Sequence, residues 1–205
     1  MSQSNEKQSA SESRIADFPI NPLFTQRWSP RAFKEEPIPE EVLLSLFEAA
    51  RWAPSGNNLQ PWRYIVARSQ KDRERFLGFI NEFNADWCKR APVYALLVSE
   101  KQNTEGKVIN SHAFDAGSSW GYLALEAVNQ GLVTHAMGGF DRVRARTELN
   151  IPERFEPQIV IAIGYQGDPR ILNESQRQRE QPNGRRTTLE CLFEGQFDLA
   201  FQMNT

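Results

Sequence analysis

The sequence predicts an α+β fold in which helices flank a mixed central β-sheet. Two observations support this prediction. Short runs rich in β-branched and aromatic residues alternate with longer runs whose apolar residues recur at helical spacing. The two kinds of run are intermixed without a linker that would separate two cores, so a single domain over residues 18–205 is expected. Periodicity alone leaves the strand order open.

The first two predicted helices lie in the N-terminal half of the chain. Residues 37–54 have proline near the first turn, two glutamates at the positive end of the helix dipole, and a second proline as a stop. Residues 72–83 follow as an amphipathic helix, with Phe76, Ile80 and Phe83 on one face. Both runs should therefore pack on the sheet.

The remaining helices and the strands follow from the same two patterns. Residues 111–130 mix small and apolar residues all round, which predicts a long helix enclosed by the core. Residues 141–150 predict a short amphipathic helix, and 188–197 look extended with no obvious partner in their own domain. The predicted strands are 62–68, 93–99 and 158–166, the second being the most clearly buried.

Composition excludes several function classes. The chain has 205 residues with 24 basic and 26 acidic side chains, a net charge of -2, which argues against a nucleic-acid binder. No apolar stretch reaches the length of a membrane span, and the polar leader lacks a secretory signal, so a cytoplasmic protein without membrane contact is expected. Residues 1–17 contain almost nothing to bury and are expected to be disordered or loosely docked.

Common catalytic signatures are not found. The sequence has no glycine-rich dinucleotide or nucleotide loop, no hydrolase elbow and no zinc-protease motif. Cys88 and Cys191 lack metal or redox spacing and are expected to be free thiols, and no metal site is predicted. For His112 and His135, structural roles are favoured over catalysis.

The motif RWSPRAF, residues 27–33, has two interpretations. Arginines before a helix are often surface charges, and on spacing alone that is the more common case. Arg27, Ser29 and Arg31 alternate, however, so an extended segment would present them on one face. Two guanidinium groups and a hydroxyl suit a phosphate, because planar guanidinium groups form bidentate, charge-assisted bonds.

Three further stretches are polar or glycine-rich. PSGNNLQPW, residues 54–62, is either a turn whose side chains cap their own backbone or a row of groups for a polar ring or polyol. HAMGGF, residues 135–140, offers a glycine pair where backbone can approach a flat ligand. NGRRTTLE, residues 183–190, contains two arginines that are either solvated or part of a phosphate site.

Taken together, these stretches resemble the FMN-dependent nitroreductase family, particularly its short members. The similarity also includes residues 84–98, 115–141 and 156–169, and covers nearly everything after the leader. Each motif is loose, but their joint order is specific. The resemblance implies a nitroreductase-like fold, an intertwined homodimer, and FMN held non-covalently at the subunit interface.

The resemblance also implies which residues bind the cofactor. By position they are Arg27, Trp28, Ser29, Arg31, Pro54, Ser55, Gly56, Asn58, Gln60, Asn84, Met137, Gly138, Gly139, Arg185 and Arg186. The group from 27 to 31 would hold the phosphate and the polar ring edge, joined at the phosphate by Arg185 or Arg186. The group from 54 to 58 would come from the other subunit, with Gln60 also near the cofactor.

The other implied roles concern the isoalloxazine ring. Asn84 would face its pyrimidine edge, and residues 137–139 would lie against it with a backbone N–H directed toward N5. Trp28 stands where many relatives carry a basic side chain, so its contact would be through the backbone. An acidic residue that some relatives carry in the 135–140 loop is missing, and no catalytic side chain is assigned.

The implied activity is that of an oxidoreductase. NADH or NADPH would be the co-substrate, and hydride would pass through flavin N5 by a ping-pong sequence to a small electron-poor acceptor such as a nitroaromatic, a quinone or an activated carbonyl or alkene. The alternative is a flavin-binding or flavin-processing protein of the same fold without dedicated NAD(P)H reductase activity. An interaction module without cofactor would leave the polar cluster unexplained.

Overall fold

A computed structural model describes residues 14–203. Their contacts divide them into two compact units, one formed by residues 27–180 and the other by residues 14–26 with 181–203. Residues 1–13 of the predicted leader lie outside the described part of the chain. The larger unit is called the sheet unit below and the smaller one the terminal unit. The prediction of one domain over 18–205 stays a prediction.

The sheet unit is built on four strands, counted within the described residues. Their order across the sheet is β1-β2-β4-β3, and each neighbouring pair is antiparallel. The α+β class is confirmed, but the pairings differ from the expected mixed sheet, because residue patterns identify strands and carry no information on their direction. The strands are β1 Trp62–Ala67, β2 Val93–Glu100, β3 Val133–Met137 and β4 Phe155–Gly164.

Helices follow the chain order around this sheet. The boundaries are α1 Pro22–Gln26, α2 Glu40–Arg51, α3 Gln70–Phe79, α4 Glu82–Cys88, α5 His112–Asn129, α6 Arg142–Glu148 and α7 Glu174–Arg177. The first of these belongs to the terminal unit and the others to the sheet unit. None of the helices within residues 14–203 combines the length and apolarity that a bilayer-spanning helix needs.

Two hydrophobic layers cover the two faces of the sheet. Alternate residues of β2 enter opposite layers, as expected from the two-residue period of a strand: Tyr94 joins one layer and Ala95 the other. Helices α2 and α5 supply Leu46 and Leu123 to the layer that holds Ala95. Trp87 of α4 lies in the layer that holds Tyr94. We call these the α5 layer and the α4 layer.

The predicted helix over residues 72–83 is wrong as a single element. Ile80 is extended, with φ -71° and ψ 137°, and forms a β-bridge to Phe140. The side chain of Asn81 accepts the main-chain N–H of Asn84 and begins α4 as an N-cap. The helical spacing of apolar residues continues through this break, so the sequence pattern did not show that two helices are present. Phe83 is half exposed and does not lie on the buried face.

Helix α5 agrees with the predicted boundaries but is not enclosed in the single chain. One face is exposed, and it includes Phe114, which is 82% accessible, and Tyr122, which is 43% accessible. A methyl group added at Gly117 or Gly121 on that face would meet nothing within 4 Å. The opposite face is buried in the α5 layer. The mixture of small and apolar residues therefore reflects two different apolar faces.

The terminal unit has little apolar core of its own. Phe24 of α1, Phe197 and Phe201 are exposed, with Phe197 80% accessible. The prediction that residues 188–197 are extended is wrong for the first part of the segment, because the chain forms a short 3-10 turn at Leu189–Cys191. The main-chain N–H of Thr188 donates to Asp17 at 2.5 Å. The apolar side chains of this unit are left facing solvent.

Candidate functional site

The arginine motif is a loop whose end is anchored in the core of the sheet unit. Phe33 is buried in the α4 layer and forms a β-bridge to Gln166. Nη1 of Arg27 donates to Oγ of Ser29 at 3.1 Å, so the structure brings these two predicted site residues together. Arg27, Trp28 and Ser29 are all partly buried. The loop therefore offers basic and hydroxyl groups at a fixed place.

The second arginine of the motif is held by Glu180. Both carboxylate oxygens of Glu180 accept the main-chain N–H of Arg31 at 2.8 Å, and one of them accepts that of Ala32 at 2.9 Å. The guanidinium of Arg31 lies 3.9 Å from the same carboxylate and donates to the main-chain oxygen of Arg179 at 3.0 Å. Burial raises the pKa of Glu180, while the N–H donors and Arg31 act in the opposite direction.

His135 of β3 joins the arginine loop to the sheet. Its Nδ1 lies 2.9 Å from the main-chain oxygen of Pro30, so Nδ1 carries the proton and donates. The imidazole contacts the Trp87 ring, with centroids 4.4 Å apart. Burial, followed by the positive charges of Arg31 and Arg27, lowers the pKa of His135 to about 4. The imidazole is therefore neutral at pH 7.

The glycine pair lies directly after β3. Met137 is buried in the α4 layer, whereas Gly138 is exposed and a Cβ built on it would meet nothing within 4 Å. Gly139 is crowded instead: its main-chain oxygen accepts from the main-chain N–H of Asn81 at 3.1 Å and from Nδ2 of Asn84 at 3.4 Å. The loop thus presents open backbone at one glycine and a packed contact at the next.

The loop after α2 is anchored by a buried carboxylate on α5. Oδ2 of Asp115, which is 2% exposed, accepts the main-chain N–H of Gly56 at 3.2 Å and the hydroxyl of Ser111 at 2.8 Å. Within the loop, Oγ of Ser55 accepts the main-chain N–H of Gln60 at 3.0 Å. Pro54 is exposed.

The same loop holds several residues in the left-handed region. Asn57, Asn58 and Gln60 have φ values of 50°, 56° and 46°. Such conformations cost non-glycine residues about 1 kcal/mol or more each, although asparagine tolerates them better than most. Nε2 of Gln60 donates to the main-chain oxygen of Asn58 at 2.9 Å, which supports the turn interpretation of its amides. Strain of this kind is common where a loop is shaped for a ligand.

The two groups of predicted site residues are anchored on opposite faces of the sheet. The arginine loop and the glycine pair are both anchored in the α4 layer, the first by Phe33 and the second by Met137. The loop of residues 54–60 is held by α5, and the residues that flank it, Ala53 and Trp62, lie in the α5 layer. The sheet unit therefore brings residues 27–31, 84 and 137–139 together but anchors residues 54–60 elsewhere.

The remaining predicted residues lie in the terminal unit. Arg185 and Arg186 are exposed, and Nη1 of Arg185 donates to the main-chain oxygens of Asn183 and Gly184 at 3.3 and 2.8 Å. Their role at a phosphate stays a prediction. Within residues 14–203, histidine, cysteine and acidic side chains nowhere form a group of three suited to a metal ion.

Three residues that organise the site were missed or undervalued in the sequence. Glu180 and Asp115 are buried carboxylates that accept main-chain N–H groups, and His135 donates to the arginine loop. Glu180 ends a polar run that is typical of an exposed loop, so no pattern separates it from its neighbours. His135 and the buried Met137 are two residues apart on β3 and so share a face of the strand, but the sequence pattern of residues 135–140 predicts a glycine-containing loop and no strand.

Comparisons with known proteins point to one family. Residues 24–86 match the family model described as Nitroreductase family. An iodotyrosine deiodinase from Thermotoga neapolitana is 30% identical over 72% of this chain and 89% of its own length. A Streptomyces coelicolor protein named as an NADH dehydrogenase/NAD(P)H nitroreductase is 27% identical over 76% of this chain and 87% of its own length.

A solved structure is also similar. The crystal structure of an oxidoreductase described as containing FMN is 39% identical, with a TM-score of 0.87, and the match covers 91% of this chain and 96% of that one. The match extends over nearly all of both chains. The fold and the sequence thus point to the same group of proteins.

Proposed function

The chain belongs to the nitroreductase family, and from that premise we propose that it is an FMN-dependent oxidoreductase that uses NADH or NADPH to reduce small electron-poor acceptors. Acceptors of this class include nitroaromatics, quinones and activated carbonyl or alkene compounds. The observation that carries the proposal is the bond from His135 to Pro30. It supports an arrangement in which the arginine loop and the glycine pair after β3 form one binding site.

The residues present fit FMN. Arg27, Ser29 and Arg31 offer the charge-assisted donors that a phosphate and a polar ring edge require. The open space at Gly138 would allow a flat ring to lie against the backbone. His135 is neutral, so it adds no further positive charge beside the two arginines. When bound, FMN would supply a two-electron carrier between nicotinamide and acceptor.

In this proposal, the residues of this chain bind the cofactor, orient its ring and exclude water from it. The guanidinium of Arg31, fixed by Glu180 and Arg179, would place positive charge near the ring edge and favour the more negative, reduced state of the cofactor. Met137 is buried and would close the site on the α4 side. Hydride transfer needs no side-chain acid or base of this chain, and no catalytic residue is proposed.

The site also supports a homodimer. Residues 54–60 are anchored on the opposite face of the sheet from the arginine loop, so a site that used both groups would need a second copy. Two surfaces of the single chain support such an association: the exposed face of α5 and the apolar side chains of the terminal unit. We propose that a second copy of this chain covers both.

The iodotyrosine deiodinase similarity supports a second candidate, a flavoprotein of this fold with a specialised reaction and no dedicated NAD(P)H oxidase activity. Anaerobic rapid mixing of FMN-loaded protein with NADH and with NADPH separates the two. Fast loss of the oxidised flavin absorbance supports the reductase. Loss that is no faster than that of free FMN with either nicotinamide would favour the second candidate.

The first experiment on the proposed function is the absorbance spectrum of the purified protein. Flavin bands are expected, with release of FMN rather than riboflavin or FAD on denaturation. A colourless protein that also fails to take up added FMN would contradict the proposal. A panel of nitroaromatics, quinones and enals, assayed with both nicotinamides, then identifies the acceptor class and the preferred co-substrate.

A further inference from the structure

A buried carboxylate lies behind the arginine loop. The side chain of Glu180 is 1% exposed, although it ends a run of polar, mostly exposed residues after α7. Its two oxygens accept three bonds from the main-chain N–H groups of Arg31 and Ala32, at 2.8, 2.8 and 2.9 Å. The carboxylate therefore fixes the backbone at the point where the loop enters the core.

Glu180 also acts on the charge of Arg31. The Arg31 guanidinium lies 3.9 Å from Oε2 of Glu180, and its Nη1 donates to the main-chain oxygen of Arg179. A guanidinium has five N–H donors, so the contact with Arg179 leaves others for a ligand. The negative charge of Glu180 offsets part of the positive field that Arg31 presents on its other side.

Keeping this charge buried is unfavourable by itself. Burial raises the pKa of Glu180, which means that the folded environment disfavours its ionised form despite the N–H donors. Replacing both members of a buried ion pair by apolar residues often costs no stability, so the pairing of Glu180 with Arg31 is weak evidence of a purely stabilising role. The placement of Glu180 against Arg31 therefore needs an explanation in position and charge in addition to any contribution to stability.

We propose that Glu180 is a positioning residue that holds Arg31 in the FMN site and sets the reduction potential of the bound cofactor. This inference rests on the proposed function. Removal of the negative charge by Glu180→Gln would leave Arg31 less neutralised, and the reduced cofactor carries more negative charge than the oxidised one. The substitution should therefore favour binding of reduced over oxidised FMN, and the midpoint potential should rise.

The test uses the FMN-loaded full chain, with Glu180→Gln, Glu180→Asp and Glu174→Gln variants. Glu174 is a matched control because it begins α7, is exposed, and contacts the side chains of Arg177 at 3.5 Å and Gln178 at 3.1 Å, both on its own surface. For Glu180→Gln, we expect about a tenfold change in the ratio of the two affinities, a rise of about 30 mV for a two-electron couple. Glu174→Gln should leave the potential unchanged.

The aspartate variant separates position from charge. Glu180→Asp keeps the charge but shortens the reach to the two N–H groups, so FMN affinity should fall about tenfold while the potential stays near that of the unsubstituted protein. If Glu180→Gln does not fold, the FMN affinity of Glu180→Asp still tests the inference. An FMN affinity equal to that of the unsubstituted protein would overturn it.

Other outcomes are also decisive. A Glu180→Gln protein that is less stable but has an unchanged potential would show a purely structural role and overturn the inference. An equal potential shift in Glu174→Gln would do the same, because it would reflect general surface charge. An unsubstituted protein that binds no FMN would remove the proposed function itself, and that result is obtained before any variant is measured.

Discussion

At His135, burial and two nearby guanidinium groups act on one imidazole ring. The ring donates to Pro30 and contacts Trp87, so its neutral form is part of the folded structure. Individual side chains such as His135 hold the arginine loop and the glycine pair in place. Single substitutions should therefore change FMN affinity and folding stability by different amounts. Two positions, His135 and Gly138, make this difference measurable.

Acid should destabilise the folded protein through His135. Its pKa falls from 6.5 to about 4 on folding, so the unfolded chain binds more protons between these values. The stability it contributes is complete above pH 6.5 and is lost as pH falls towards 4, by roughly 3 kcal/mol. Urea unfolding from pH 7 to 4 measures this loss. The non-titrating His135→Asn variant should lose correspondingly less, and equal losses would refute the assignment.

Gly138→Ala should weaken FMN binding without weakening the fold. An added Cβ meets no protein atom within 4 Å, but it would occupy the space proposed for the ring. FMN affinity should fall at least about tenfold, or about 1.4 kcal/mol, as measured by titration of the apoprotein. Gly139→Ala is the contrasting variant, because its Cβ would collide with the Asn81 amide and should lower the apoprotein's melting temperature. Unchanged FMN affinity in Gly138→Ala would argue against this position for the ring.

At the scale of elements, the candidate site depends on the contacts that hold the loops between helices and strands. Asp115 in the first turn of α5 holds the loop that follows α2, and the bridge between Ile80 and Phe140 holds the loop that follows β3. Each loop is thus fixed by an element distant in sequence. Substitutions at these two contacts should change both folding stability and the geometry of the site. Substitutions elsewhere in the same elements should change stability alone.

Asp115→Ala should affect both stability and FMN binding. It leaves the Gly56 N–H and the Ser111 hydroxyl without their acceptor, at a cost of about 1 to 3 kcal/mol, and frees a loop that holds three left-handed residues. Ser69→Ala, which removes the N-cap of α3, is the control: about 1 kcal/mol of stability and no FMN affinity should be lost. Chemical unfolding and FMN titration measure the two effects. Equal FMN affinity in both variants would exclude Asp115 from the site.

The elements themselves were mostly predictable from the sequence. Helices α2 and α5 and strands β1, β2 and β4 follow from apolar period and β-propensity, because these depend on local spacing. The break at Ile80 was not predictable, since it is fixed by a bridge to Phe140, 60 positions away. Strand β3 was missed because it is short and is followed directly by two glycines. Within the candidate site, the arginine motif could be singled out from its sequence, and its role in binding stays a prediction; the groups that hold it depend on tertiary contacts.

At the scale of the whole molecule, the exposed apolar surfaces are the main unexplained feature of a single chain. They lie on α5 and in the terminal unit and include Phe114, Tyr122 and Phe197. A soluble monomer rarely leaves several large apolar side chains in solvent on one helix face. Association of two chains would bury them and would also bring two separately anchored loops within reach of one site.

Gly121→Arg should therefore produce a monomer that no longer retains FMN. A Cβ at this position meets nothing in the single chain, so the substitution is tolerated unless a second copy packs there. Val143→Arg, at a residue of α6 that is 77% accessible, is the control and should remain dimeric. Light scattering coupled to size exclusion, with flavin absorbance recorded, measures both properties. A monomeric unsubstituted protein with a full complement of FMN would contradict the dimer.

The bonds between Glu180 and Arg31 join residues 149 positions apart and so close almost the whole sheet unit. Closing so long a segment carries a large entropic cost, and such contacts generally form after the local helices and hairpins. Loss of the Glu180 carboxylate should then accelerate unfolding while the folding rate changes little, which stopped-flow denaturant jumps would reveal. The bonds between Glu180 and Arg31 would therefore determine how long the native state lasts, rather than how fast it forms.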